Sequence, residues 1–326
     1  MARAWIAVAV LAVLWSTAPT AAASFPGRNG TIVYGWTIAN KYVGSPTSIR
    51  TVDPRSRLVR TLRDCPLRTD RWPLSYPDCH VSAPRYSPDG ARIAFPTIQY
   101  SYPPGEPWVV QPALTVLAAD GSLVDERAVP HTYHRLAWSP AGDRFLLQRA
   151  LGPGAATSAF GIVIAAPDGV ELGSVTPPGT QTPGWSSTGE IAFSRLREPC
   201  PPRCGDIYVT RLDGKSRRLT YRGGSEPSWS PRGTKLAFAR ISGSRWDVYI
   251  VRRNGRGLRR LTYRGGHSPA WSPDGKWIAF IRRGDIYVVR TNGRDLRRLV
   301  DELGPDSSFG LGPQVQSIDW QPLPGG

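Results

Sequence analysis

The chain has 326 residues, 40% of them hydrophobic and 20% charged, with only four cysteines and no long segment of 3.6-residue apolar period. That length admits one large or two ordinary domains and, without helical periodicity, excludes a helical bundle. Lys and Arg number 41 against 25 Asp and Glu, a formal net charge of +16 at pH 7, and 37 of the 41 are Arg.

The charge is uneven. Residues 205–300 hold 22 Lys and Arg against 7 Asp and Glu, whereas the rest of the chain beyond residue 23 is balanced at 18 each. A basic surface for an anionic polymer, a membrane surface or nucleic acid is one reading; an arginine-rich composition on solvated strands is the other. Residues 1–23 read as a signal peptide: Arg3 gives a basic start, Ala4 to Trp15 an apolar run, and Ala21-Ala22-Ala23 small residues for cleavage. The run is shorter than the roughly 20 residues a bilayer span needs. An exported protein is expected, periplasmic or extracellular, with no transmembrane segment after cleavage. Export argues against nucleic acid. Residues 24–326 are expected to form a single domain.

Arg28-Asn29-Gly30-Thr31-Ile32-Val33-Tyr34 begins with a turn and runs into an apolar strand. The same turn and strand recur downstream, each time preceded by a short strand ending in an aromatic residue. Ser82–Phe95 reads SAPRYSPDGARIAF, Tyr133–Leu147 YHRLAWSPAGDRFLL, Thr182–Phe193 TPGWSSTGEIAF, Ser225–Phe238 SEPSWSPRGTKLAF and Ser268–Phe280 SPAWSPDGKWIAF. Pro presets φ, Ser or Asp bonds the local backbone, and Gly takes positive φ. The aromatic half missing before Arg28 turns up in Gln316–Pro322, around Trp320. The aromatics Tyr86, Trp138, Trp185, Trp229, Trp271 and Trp320 are 42 to 52 residues apart, a spacing that suits propeller blades. Each repeat also has a second hairpin, clearest at Asp213-Gly214, Asn254-Gly255 and Asn292-Gly293. The expected fold is all-β: a six-bladed β-propeller of four-stranded antiparallel blades. Its ring is closed by the C-terminal strand pairing with the N-terminal blade. The aromatics are expected to pack between sheets.

The WSPDG repeat resembles that of the TolB-like propeller family, over nearly all of the chain beyond residue 23 and most closely in the last three repeats. The resemblance implies a non-enzymatic periplasmic binding module that recognises an envelope protein through one face, with no cofactor. The chain is expected to be a monomer.

With strands lettered A to D outward from the channel, the A–B and C–D turns share one face and the B–C and D–A connections the other. The insertions fall on the second face: Arg63 to Val81, Pro96 to Pro112, Leu196 to Gly205 and Val300 to Val315. A rigid scaffold's long loops are where binding concentrates. Tyr100, Tyr102 and Trp108, with Trp72 and Tyr76, are therefore candidate contacts. The position four before each key aromatic is expected to ring the channel mouth, which singles out His134, Gln181, His267 and Gln316, with Glu226 beside them. Arg222 and Arg264, in duplicated Tyr-Arg-Gly-Gly turns, could line a funnel for acidic groups.

Cys65, Cys79, Cys200 and Cys204 allow three connectivities. An oxidising compartment favours disulfides over zinc, and the two local pairs are expected. A His and Gln ring could in principle hold a metal, as in lyases of acidic sugars, but His134 and His267 belong to opposite blades and no metal site is expected. No catalytic residues are assigned: Gly-x-Ser-x-Gly, phosphate-loop and His-Glu-x-x-His motifs are absent, and no hydrolase domain is expected after the ring closes. The alternatives to a protein-binding module are a metal-dependent propeller lyase and a binder of anionic wall polymer or glycan.

Overall fold

The computed structural model describes residues 27–38, 47–65, 67–68, 76–77, 79–101, 109–151, 160–196, 205–301 and 313–324. The segment 1–23 lies outside them, as do Trp72, Tyr102, Trp108, Cys200 and Cys204; for Tyr76, Tyr100 and Gln316 only the backbone is described. Six antiparallel sheets stand as blades. Blade 5 is typical, with strand A at Ser225–Trp229, B at Lys235–Ser242, C at Arg245–Arg252 and D at Arg259–Arg260. In blade 2 the inner strand is split into Cys79–Val81 and Arg85–Tyr86. Blade 1 takes its inner strand, Pro313–Leu323, from the far end of the chain, where it pairs antiparallel with Arg28–Ile38. The expected closure is therefore present, and the inner strands touch in cyclic order around a central channel.

The turn that follows each key aromatic from Tyr86 to Trp271 has one organiser. Ser87, Ser139, Ser186, Ser230 and Ser272 each accept, on Oγ, a backbone N–H from four or five residues ahead, at 2.9–3.0 Å. Gly90, Gly142, Gly189, Gly233 and Gly275 sit at φ 62–79°, a region open to glycine at little cost. Blade 4 lacks the Pro-Asp pair yet keeps this geometry, because Ser186 and Gly189 are the parts that matter.

Among the described residues six hydrophobic clusters form the core, one at each junction between neighbouring blades. Middle strands are buried on both faces, so Ile278-Ala279-Phe280-Ile281 is wholly apolar: Ile278 and Phe280 face blade 5, Ala279 and Ile281 face blade 1. The key aromatics are all buried, as expected. Among the described residues Trp138, Trp229 and Trp271 also donate an indole N–H to the preceding blade's inner strand, to Arg85 O at 3.1 Å, Gly184 O at 3.3 Å and Ser228 O at 3.1 Å respectively. The repeated tryptophan is thus a strap between blades as well as filling.

The Cys65–Cys79 disulfide is formed, with Cα atoms 5.2 Å apart, and joins the outer strand of blade 1 to the inner strand of blade 2. The stretch Pro96–Pro112 is less of a loop than its composition suggests. Residues Pro96–Ser101 pair residue for residue with Val109–Leu114, extending the blade-2 hairpin and leaving only 102–108 between them. Pro96 and Pro112 lack an N–H but still take part in the sheet through their carbonyls, which accept Ser82 N–H at 3.3 Å and Val129 N–H at 2.9 Å.

Candidate functional site: the channel mouth

The two faces differ in connection length. A–B and C–D turns have four to six residues, whereas every connection of seven or more joins B to C or D to A. This agrees with the face on which the insertions were expected.

The inner strands shape the channel mouth through a shared irregularity. Each pairing with strand B shifts register just ahead of the key aromatic: between Tyr133 and Arg135, Gln181 and Gly184, Ser225 and Ser228, and His267 and Ala270. A bulge of this kind re-aims side chains. Ala83, Thr182, Glu226 and Ser268, three before the aromatic and each followed by Pro, have φ of 47–54°. The charged residues, serines and threonine lining a cavity of about 110 Å³ in the channel accordingly come from that position and from the one just before the aromatic, and the key aromatics and neighbouring prolines complete its wall. Each blade contributes: Asp319, Arg85, Arg135, Thr182, Glu226 and Ser268, from blades 1 to 6 in turn.

Glu226 is the hub. Its carboxylate accepts Ser268 N–H at 2.7 Å and Ser268 Oγ–H at 3.1 Å, and Arg135 Nη2 approaches it at 3.4 Å. His267 Nδ1 lies 3.9 Å from Glu226 and 3.2 Å from Ser268 Oγ. Burial alone would raise the Glu226 pKa, but Arg135, His267 and the two Ser268 donors outweigh it and hold it below the usual glutamate value. Burial lowers the His267 pKa, and Arg135 adds to this against the opposing pull of Glu226. Across the mouth, Arg85 Nη1 donates to Ile318 O at 3.2 Å, and Asp319 accepts Tyr86 N–H at 2.9 Å. Burial raises Asp319 while Arg85 pulls it back. Polar links therefore span the channel from blade 3 to blade 5 and join the adjacent inner strands of blades 1 and 2.

His134 does not join this network; its ring meets Phe160 edge-on, with centroids 5.0 Å apart. Gln181 takes its place on the blade-4 inner strand, where its carbonyl accepts Ser194 Oγ–H at 3.2 Å. Among the described residues no group of three or more His, Cys, Asp or Glu is close enough to hold a metal ion. Arg222 and Arg264 are exposed in equivalent turns. Those turns are tied down from beneath: Asp206 binds Arg218 at 2.6 Å and Gly223 N–H at 3.0 Å, and Asp247 binds Arg260 at 2.6 Å and Gly265 N–H at 3.1 Å. Arg218 and Arg260 in turn lie under Tyr221 and Tyr263, 4.5 and 4.9 Å from the ring centres, and both tyrosines are 69% exposed.

Sequence reasoning did not single out Arg85, Arg135, Ser268 or Asp319 as channel residues, nor Tyr221 and Tyr263 as exposed aromatics. For Ser268, and for Arg85 two residues after Ala83, the signal was the Xaa-Pro step three before the aromatic, which marks the bulge; Arg135-Leu136 and Ser317-Ile318 carry no proline, so Arg135 and Asp319 had no such signal. For the two tyrosines it was duplication of the whole turn rather than of its arginine.

No known family profile matches the chain. A curated TolB homolog from Chlorobium luteolum is 40% identical over 72 residues, 21% of this chain and 16% of that protein. Among solved structures, TolB from Acinetobacter baumannii superposes with a TM-score of 0.63 at 19% identity, covering 90% of this chain and 67% of that one. A putative TolB from Agrobacterium tumefaciens gives 0.58 at 17%, covering 90% and 100%. A chain of a nidogen/laminin complex gives 0.60 at 9%, covering 89% and 98%. The chain is, in fold, a TolB-like six-bladed β-propeller.

Proposed function

We propose that this is a non-enzymatic, exported propeller of the cell envelope that binds a protein partner through its B–C/D–A face. The observation that carries the reading is the pair Tyr221 and Tyr263. They stand at equivalent positions on that face, largely exposed, each seated on an arginine that a buried carboxylate holds in place. Aromatic side chains fixed before binding make efficient interface anchors, since little entropy is lost on contact. The neighbouring channel mouth offers Arg135, Glu226 and Ser268 for a partner's polar groups. The TolB likeness points to the envelope, and the Cys65–Cys79 disulfide suits an oxidising compartment. Trp72, Tyr76, Tyr100, Tyr102, Trp108, Arg222 and Arg264 extend the proposed contact surface, and the protein acts as a monomer.

A cross-linking pull-down from the native envelope fraction tests this, with the protein and a Tyr221→Ala, Tyr263→Ala variant as baits. A discrete protein partner is expected, with recovery reduced about tenfold or more in the variant. Equal recovery by both baits, or no protein at all, overturns the reading.

A further inference from the structure

The opposite face carries a charge pattern that protein recognition at the channel mouth leaves unused. In blades 4 to 6 the turns at 211–217, 231–235, 252–259, 273–276 and 290–297 present thirteen exposed Lys and Arg against three exposed Asp. The corresponding turns of blades 1 to 3 carry Asp53, Asp89, Asp120, Asp143 and Asp168 among fewer arginines.

Turn chemistry shows how the difference arises. In blades 2 and 3 a C–D turn is closed by Asp: Asp120 accepts Ser122 N–H at 2.9 Å and Asp168 accepts Val170 N–H at 3.0 Å. In blades 5 and 6 Asn does the same work: Asn254 accepts Arg256 N–H at 3.0 Å and Asn292 accepts Arg294 N–H at 2.9 Å. The bond is conserved in geometry while the negative charge is removed, and the donor residue has become Arg. Among the described residues neither Arg256 nor Arg294 has an ion-pair partner. Arg217 donates across the blade boundary to Arg253 O, and Arg259 likewise to Thr291 O, which sets basic side chains of successive blades in a fixed order.

We propose that this sector binds a linear anionic polysaccharide along the arc of blades 4 to 6. Arginine recognises carboxylate and phosphate groups through paired N–H donors. A planar anionic bilayer would meet the whole face, including the carboxylates of blades 1 to 3, whereas a linear chain can follow the basic arc alone. Leu258 and Leu296, each 47% exposed between the arginines, offer apolar contact to sugar C–H faces. The aromatic within this sector, Trp277, is covered by Arg290 and Arg297 at 4.7 and 5.4 Å, so it presents no open ring for stacking a nucleobase.

The test is fluorescence anisotropy with labelled oligogalacturonate across salt, using the whole protein. Binding is expected to weaken steeply between about 50 and 200 mM salt, as release of bound counterions requires. An Arg232→Ser, Arg256→Ser, Arg294→Ser variant should bind about tenfold or more weakly with a shallower salt slope. An Arg222→Ser, Arg264→Ser control on the other face should bind as the unaltered protein does. No binding at low salt, equal binding by the triple variant, or tighter binding to duplex DNA or to phosphatidylglycerol vesicles than to oligogalacturonate overturns the proposal. None of these results bears on capture of a protein by the opposite face.

Discussion

Ala83, Thr182, Glu226 and Ser268 hold left-handed backbone conformations that non-glycine residues adopt at a cost. For Thr182, with its branched β-carbon, the cost is greatest, and Thr182 N–H and Oγ are bonded to Gln148 at 2.9 Å and Ser194 at 2.8 Å. Strain of about 1–3 kcal/mol persists only where the surroundings over-determine it, and here it delivers Glu226 and Ser268 to one spot in the channel. The same crowding sets a pH dependence. Burial comes first in lowering the pKa of His80, His134 and His267. Each folded pKa is below the ordinary 6.5, so the unfolded chain binds more protons there. The stability these groups contribute is full above 6.5 and is lost as pH falls through the folded values. Glu226 is also depressed and acts in the same sense, below 4.5; Asp319, raised by burial, acts oppositely. Thermal unfolding should therefore move to higher temperature between pH 5 and pH 7. A His134→Asn, His267→Asn variant should show a flatter profile, and an unchanged profile would refute this account.

At the scale of the element, short turns account for most of what was legible beforehand. The Ser-x-x-Gly turn, the Asx-closed C–D hairpins and the doubly buried middle strands are local chemistry, and each was readable from a few neighbouring residues. The outer strands were less so. Leu258 to Tyr263 reads as a strand, yet only Arg259–Arg260 pair as one. Beyond them Leu261 N–H still reaches Val248 O at 2.8 Å, but Thr262 Oγ takes the Val248 N–H at 2.9 Å, and Asp247 draws in Arg260 and the Gly265 N–H, so side chains take over part of the ladder. One hairpin departs from the best local choice. The two-residue turn Arg283-Gly284 between Trp277–Arg282 and Asp285–Arg290 has φ of 52° and 84°, the positive pair that favours Asn-Gly. Arg283 is exposed. Arg283→Asn should therefore stabilise the protein by about 0.5–1 kcal/mol, read as a higher denaturant midpoint with unchanged slope. A lower midpoint would show that Arg283 makes a compensating contact.

For the whole molecule, stability depends on closing a ring whose first and last strands are almost the full chain apart in sequence. The seam is held by the long pairing of Arg28–Ile38 with Pro313–Leu323 and by Trp320 N–H to Gly30 O at 3.1 Å. The Cys65–Cys79 disulfide, spanning 14 residues, ties the first blade to the second. Removing it by Cys65→Ala, Cys79→Ala should cost about 3 kcal/mol of unfolding free energy; an unchanged denaturant midpoint would mean that blade packing alone holds the junction. The number of blades, the turn that builds each one, the closing strand and the face bearing the long connections were all determined by the sequence itself, because a repeat states its local chemistry again in every copy. The constellation of Arg85, Arg135, Glu226, Ser268 and Asp319 was decided only by the tertiary structure. Those residues lie in five different blades, and what brings them together is a bulge that turns one side chain per inner strand toward a channel that exists only once the ring has closed.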